Sequence, residues 1–368
     1  MDKWTGRAKY HERTKQLVKT ITPGDIAVLS HEDIDASAAD SLIHAKAGAV
    51  LNMKASMSGS IPQDGVQRLL EGNIPVFDIQ TKGVGPCLHE RDIEIIENRL
   101  FLPYSGRFLE MAVLTRYTGK RLVDLQRQAE AKREHLLASF IENSLACAQN
   151  ELTSFLEHWH DWGSGSSLSG RDVCIVIRGA DYMKDLEYAK KNILPADMCR
   201  IAVDGAADGM REIGLCPDYI IGDMDSVSRE SLQCGARLFV HQGPRGKTPG
   251  FDQINRCNLE AETIRFIGLS EDAAAAFALK EGASRIYMVG GHRDMEEYCC
   301  KGRKGMGSSL LMRMLAGSRF IDLKGIHHAG RSRYDKWWKI NEKWRSRYRF
   351  PIKGKAAFRR VEGGSSKS

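Results

Sequence analysis

The sequence predicts a mixed α/β protein: a parallel-sheet domain over residues 171–305, preceded by a small α/β domain over 1–118 and a long helix over 119–162. Three observations carry this. Short apolar runs alternate with helical stretches from residue 173 onward, and strands that are apolar on both faces belong to a parallel sheet covered on both sides. A similar alternation at smaller scale fills the first eighty residues. Between the two lies a forty-residue stretch with helical periodicity and no breaker.

In the first region, residues 25–29, 48–51 and 74–79 read as buried strands, and 36–46 and 63–70 as the helices between them. Residues 93–102 read as a hairpin turning at Glu97-Asn98. In the long helix, Ile141, Leu145, Ala148, Leu152, Phe155 and Trp159 are spaced 4, 3, 4, 3, 4, a heptad seam. Upstream, Leu122, Leu125 and Ala129 continue it until Lys132, where it slips. Such a seam serves either a second copy of the chain, giving a homodimer through the 120–159 helix, or the chain's own domains. The Gly/Ser-rich run 163–170 reads as a linker. Beyond it, strands are expected at 173–177, 200–203, 219–221, 238–241, 263–267 and 285–289, with helices at 184–191 and 272–280. After residue 305 come a helix over 308–315, a strand over 320–323 and a basic tail.

A length of 368 residues exceeds what one core usually organises. Composition is that of a soluble globular protein, 42% hydrophobic and 27% charged. No apolar run approaches the roughly 18 residues of a membrane span, and the first residues hold no signal core. The nine cysteines form no CxxC pair, and several lie inside apolar runs, the pattern of buried thiols in a cytosolic protein. The net charge of +7 is concentrated: residues 331–368 hold 13 Lys/Arg against 3 Asp/Glu. Any acidic partner is therefore expected at the tail.

The sharpest chemical signal is Asp204-Gly205-Ala206-Ala207-Asp208 followed by PDYIIGDMDSV over 217–227. Asp204 immediately follows one expected strand, and Asp223 and Asp225 follow the next. At the carboxyl edge of a parallel sheet these side chains converge on the ligand-binding side. Residues two apart on extended backbone point the same way, and Gly222 permits close approach. Carboxylates so placed repel each other unless a cation joins them. Mg²⁺, which uses one or two carboxylates plus phosphate oxygens, suits the arrangement. The alternative is an Asp-rich turn that caps helices. Arg178, also beyond a strand, reads as a phosphate contact or a surface ion pair.

In this setting the motif resembles the thiamine pyrophosphokinase pattern, DGGAN followed by PDxIxGDxDS. The resemblance implies that Asp204, Asp223 and Asp225 hold Mg²⁺ on the phosphates of ATP or a related nucleotide, with Gly205, Gly222 and Ser226 beside them. It extends to Asp272 as the aspartate of a following helix, although Ser270-Glu271 stand where the family has Lys-Thr. That family continues into a β-sandwich that helps hold thiamine, and residues 306–368 do not read as one.

A fuller resemblance covers nearly the whole chain. GDIAVLSHEDID, IENSLACAQNELTSFLE, RGADY at 178–182, the two aspartate motifs and KGMGSSLLMRMLAGSRFIDLKG are similar to the SteA-like cytokinetic-ring proteins. It implies a thiamine pyrophosphokinase-like core, a role as scaffold or regulator in bacterial cell division or envelope assembly, and a place at the inner face of the membrane at the division site. Members commonly end in a membrane-spanning helix, where this chain has its basic tail. The alternative is a working enzyme that transfers diphosphate from ATP to a hydroxyl.

Residues 243–248, GPRGKT, end like a Walker A loop, but His241 stands where glycine is required. The tail interleaves Trp337, Trp338 and Trp344 with basic residues, a composition that suits an anionic membrane surface or single-stranded nucleic acid. The division-protein resemblance favours the membrane.

Overall fold

The computed structural model describes residues 2–81, 83–243 and 250–331. Met1–Gly325 packs as one unit, and Ile326–Ser368 forms another. The Walker-like segment and the basic aromatic tail lie outside the described residues, apart from Gly243 and Arg331.

The first region closes on itself. Its elements run β1 (Lys3–Tyr10), α1 (Thr14–Leu17), β2 (Ile26–Leu29), α2 (Ala36–His44), β3 (Ala49–Asn52), α3 (Gly65–Glu71), β4 (Val76–Ile79), α4 (Gly85–Leu88), β5 (Arg91–Ile96), β6 (Arg99–Tyr104) and β7 (Arg107–Arg116). The seven strands form a closed barrel in the order β1-β2-β3-β4-β7-β6-β5. β1 to β4 are parallel, and β5 returns antiparallel to β1. Side-chain alternation explains the layers. Val28, Leu51, Phe77 and Ile95 fill the barrel, while Ala27, Leu29, Val50 and Val76 point outward under α2 and α3. β2, β3 and β4 are thus buried on both faces. β1 is buried on one face and shows no apolar run, and the Met111–Leu114 run of β7 buries only alternate residues, so the barrel was not foreseen in the sequence.

α5 (Gly119–Asp161) is 43 residues long, about 64 Å at 1.5 Å per residue. Thr118 caps its start, accepting from the Arg121 amide. Its heptad seam divides. Leu122 packs into the barrel-side core, Phe140 against Met295 and Tyr298, and Phe155 into the sheet core. Ala148 is buried and Trp159 packs beside Phe155, whereas Ile141, Leu145 and Leu152 face outward. The residues read as a linker are docked on the sheet domain. Gly165, Leu168 and Gly170 donate amides to the carbonyls of Lys280, Glu281 and Gly282, and Leu168 is fully buried.

The second sheet is built from β8 (Asp172–Val176), α6 (Tyr182–Asn192), β9 (Cys199–Val203), α7 (Ala206–Glu212), β10 (Tyr219–Gly222), α8 (Arg229–Leu232), β11 (Arg237–Gln242), α9 (Gly250–Arg256), β12 (Glu262–Arg265), α10 (Ser270–Lys280), β13 (Arg285–Val289), α11 (Met295–Cys300), α12 (Ser308–Ala316) and β14 (Phe320–Asp322). All seven strands are parallel, in the order β12-β11-β10-β9-β8-β13-β14. The sheet runs past the boundary expected at 305, because β14 pairs with β13. The order reverses between β8 and β13, where the connections leave in opposite directions and open a crevice at the carboxyl edge. Gly179 and Gly290 meet there: a Cβ on Gly179 would lie 2.1 Å from the Gly290 carbonyl oxygen. Among the described residues no helix is long and apolar enough to cross a membrane.

Candidate functional site

Three consecutive strand ends supply the charged groups. β9 ends in Val203 and the chain turns at once through Asp204, whose φ of +49° is left-handed. β10 ends in Gly222, and Met224 beyond it also has positive φ, +59°. Left-handed residues other than glycine are uncommon and gather where a side chain must be aimed. Here the turns bring Asp204 against the β10 end: its Oδ1 accepts the Met224 amide at 3.0 Å. A Cβ on Gly222 would lie 1.9 Å from that same Oδ1, so the approach requires glycine.

Asp204, Asp223 and Asp225 form a chain of hydrogen-bonded carboxyls. Burial, followed by the Asp223 charge, pushes Asp204 up to about 8. Burial also acts to raise Asp223, but hydrogen bonds from Asp225 and Asp204 and the charge of Lys15 hold it below its usual value. The pair therefore shares one proton, which the deeper burial of Asp204 draws to its side. Asp225 is raised by burial and by Asp223, and its Oδ1 is buried without a hydrogen-bond partner. A buried carboxylate oxygen left unpaired is costly.

The other expected residues divide between contact and support. A Cβ on Gly205 would lie 2.5 Å from Arg178 Nη1, which places the guanidinium directly over the β9 turn. Ser226 is buried and its Oγ accepts the Gly205 amide at 3.1 Å, tying the two aspartate loops together. Asp272 is not brought to this cluster. Its Oδ2 accepts from the Leu269 amide and from the hydroxyls of Ser308 and Ser309, so it caps α10 and fastens α12 to it. Burial and neighbouring Glu271 push it up to about 7.

Sequence reasoning missed the opposite wall of the site. α1 of the barrel lies across the β10 loop. Gln16 Nε2 and Lys19 Nζ donate to the Asp225 carbonyl oxygen at 3.2 and 3.3 Å, and Arg13 Nη1 stands 3.8 Å from Asp225 Oδ2. Lys15 acts electrostatically on Asp204, Asp223 and Asp225 together. Burial lowers Lys19, opposed by Asp208 and Asp225 and reinforced by Arg178. The signal existed as spaced basic residues at 13, 15 and 19, but nothing local links them to carboxylates two hundred residues away. A second joint holds the walls together: Arg68 of α3 reaches Asp181 at 2.8 Å, Asp64 at 2.7 Å and Asp40 at 3.1 Å.

At the crevice itself, beyond β13, His292 Nδ1 lies 2.9 Å from Glu271 Oε2, and Lys301 Nζ meets its Nε2. Glu271 is buried; burial works against its charge, yet His292 holds it below the usual range. Glu271 and Lys301 thus engage both ring nitrogens of His292 and fix the plane of the imidazole.

Among the described residues, no group of three or more His, Cys, Asp or Glu is arranged to enclose a metal ion. The all-oxygen set nevertheless fits Mg²⁺, which completes its shell with phosphate oxygens and water rather than a protein cage. A cavity of about 790 Å³ opens elsewhere, where β11 and β12 begin, lined by His158, Trp162, Arg237 and Glu262. It touches none of the carboxylates and belongs to the other end of the sheet.

No protein-family model matches the chain. No curated protein matches it either. Among solved structures, a 3-isopropylmalate dehydratase from Methanocaldococcus jannaschii matches with 11% identity and a TM-score of 0.24. The match covers 37% of this chain and 98% of that one. At that TM-score it carries no argument. Fold and site together define a mixed α/β protein, a closed barrel and a parallel sheet, with acidic and basic groups facing each other at the sheet's carboxyl edge.

Proposed function

We propose that this cluster binds a nucleotide or another diphosphate-containing ligand together with Mg²⁺. In this reading the protein acts as a ligand-responsive scaffold or regulator in bacterial cell division or envelope assembly. One observation carries the binding: three carboxyls at the ends of β9 and β10 face Arg13, Lys15 and Lys19 in and beside α1, with Arg178 beside them. Carboxylates alone would take a cation, and basic residues alone an anion. A set of both at one sheet edge suits a metal-bound polyphosphate. Asp223 and Asp225 would hold the metal with Asp204, Arg178 and the α1 lysines would take phosphate oxygens, and Gly205 and Gly222 keep Cβ atoms out of the way. When bound, Mg²⁺ would neutralise phosphate charge. The cell-division role rests on the resemblance to the SteA-like proteins.

Thermal denaturation with ATP and Mg²⁺ tests the reading. At a free ligand concentration of a hundred times Kd, a single site stabilises the native state by about 2.7 kcal/mol. The wild-type melting temperature should rise with both and with neither alone. Asp223→Asn with Asp225→Asn should remove the rise. An equal rise in the double variant would overturn the assignment.

The same carboxyl cluster, with Asp223 held below its usual value, admits a second reading, diphosphate transfer. There an acceptor hydroxyl oxygen would bond to the β-phosphorus of ATP, the bond to the α-phosphate oxygen would break, and AMP would leave. A carboxylate of the cluster would take the hydroxyl proton. Release of AMP only when an alcohol acceptor is added would establish that reading in the same samples.

The basic segment from Arg331 is assigned to the anionic inner face of the cell membrane. Each Lys or Arg near such a surface adds about 1 kcal/mol, an effect that fades over a Debye length. Vesicles containing anionic lipid should sediment the full chain at low salt but not a chain ending at Gly330. Equal sedimentation of both chains, or equal binding to neutral vesicles, refutes it.

A further inference from the structure

Among the described residues, nothing covers an outward apolar stripe of α5 that takes in the outer half of its seam. Leu137, Ile141, Leu145, Leu152 and Leu156 are each 42% to 61% exposed. At 100° per residue they fall within about 100° of the helix circumference and run for about 29 Å along it. Single exposed leucines are ordinary, but five in one line are not.

The order of the stripe identifies what covers it. Leu137 and Leu156 lie equally far from the point between Ala146 and Cys147, and so do Ile141 and Leu152; Leu145 sits beside that point. A two-fold interface requires a surface that complements itself, residue for residue, about an axis. Two copies of α5 laid antiparallel about this point set Leu137 against Leu156 and Ile141 against Leu152. Leu145 then approaches its own counterpart.

Charge agrees. From 137 to 156 the only charged residues are Glu142 and Glu151. Glu151 turns inward, its Oε2 accepting the Ser308 amide at 2.6 Å. Glu142 is exposed and falls about 40° outside the stripe at 100° per residue, at the rim of such a pair and not within it. The stretch has no Lys or Arg, which helices lying on anionic lipid carry along the polar face. A different protein would have no need of the symmetry.

We propose that this face of α5 is a two-fold interface with a second copy of the chain, the helices antiparallel and crossing between residues 146 and 147. Light scattering on the full chain should give twice the chain mass. Leu145→Glu with Leu152→Glu should return it to a single chain, while circular dichroism stays unchanged because both positions are exposed. A monomeric wild type overturns the proposal, and so does a double variant that stays dimeric.

Cross-linking tests the register without depending on that variant's folding. With a short thiol-to-thiol linker, Leu145→Cys should link to its own copy, beyond the background of the native cysteines. Leu137→Cys should not, because its two copies would lie about 28 Å apart along the axis. Mixed with Leu156→Cys, it should link across. Linkage of Leu137→Cys to itself would show parallel helices and overturn the arrangement. A monomer that instead binds neutral vesicles through this face would give the stripe to lipid.

Discussion

Asp204→Asn is expected to make the protein more stable at pH 8 while removing its response to Mg²⁺ and nucleotide. Asp204 is held protonated up to about pH 8 by burial and by the Asp223 charge, whereas in the unfolded chain it titrates near 3.9. The native state thus binds the extra proton across that window. Its contribution is fully present below about pH 4 and is lost as pH rises toward 8. Asparagine keeps an oxygen for the Met224 amide, presents a fixed donor toward Asp223, and tolerates the left-handed backbone. The variant's advantage over wild type should therefore be small at pH 4, grow through neutrality and level off above pH 8. Melting temperatures across pH 4–9 check it. A difference that is flat with pH, or a less stable variant at pH 8, would show that the two carboxyls do not share a proton. The gain in stability with loss of binding is the exchange expected where like charges are gathered for a ligand.

Phe155→Ala is expected to cost about 3–5 kcal/mol, the range for truncating a buried phenylalanine. Phe155 is 2% exposed and meets the Phe266 ring edge-on, with centroids 5.3 Å apart. Trp159 and Trp162 pack around the same place. The residue seats the end of α5 on the sheet domain, and its loss leaves a cavity between elements that cannot collapse together. The urea midpoint should fall by the corresponding amount. A cost below 1 kcal/mol would mean that α5 does not depend on this contact for its seat.

The contrast between these residues shows how much the sequence could reveal. The strands of the parallel sheet were legible because burial on both faces writes them as continuous apolar runs. β10 and β13 fall within a residue or two of where those runs lie. The barrel was not, since β1 buries one face and alternates, with Trp4 and Ala8 inward and Lys3 and Arg7 outward. In α5 the 4–3 spacing was plain, but spacing records only that apolar residues share a side. Phe155 and Leu152 belong to one seam in sequence, yet one is in the core and the other in solvent. At the site, Asp204, Asp223 and Asp225 were legible because they follow strands. Asp272 was placed there by resemblance and turns out to be bonded to Ser308 and Ser309. Lys15 and Lys19 were invisible, because their meaning depends on a fold that sets residue 19 against residue 225.

α5 has a consequence for how fast a ligand could arrive. Its first turns are part of the barrel-side core and its last turns part of the sheet core, with Arg68 and Asp181 bonded across the same joint. Opening the two walls would mean bending a continuous helix or withdrawing a buried aromatic ring. Hinged closure, with its microsecond-to-millisecond delay, would therefore be no part of the ligand binding proposed above. Under the proposed function, association should instead be limited by diffusion to a fixed site, and its rate should fall with ionic strength as the basic groups around α1 are screened. The entropy of assembling the two walls is lost when the chain folds, so little remains to be lost on binding.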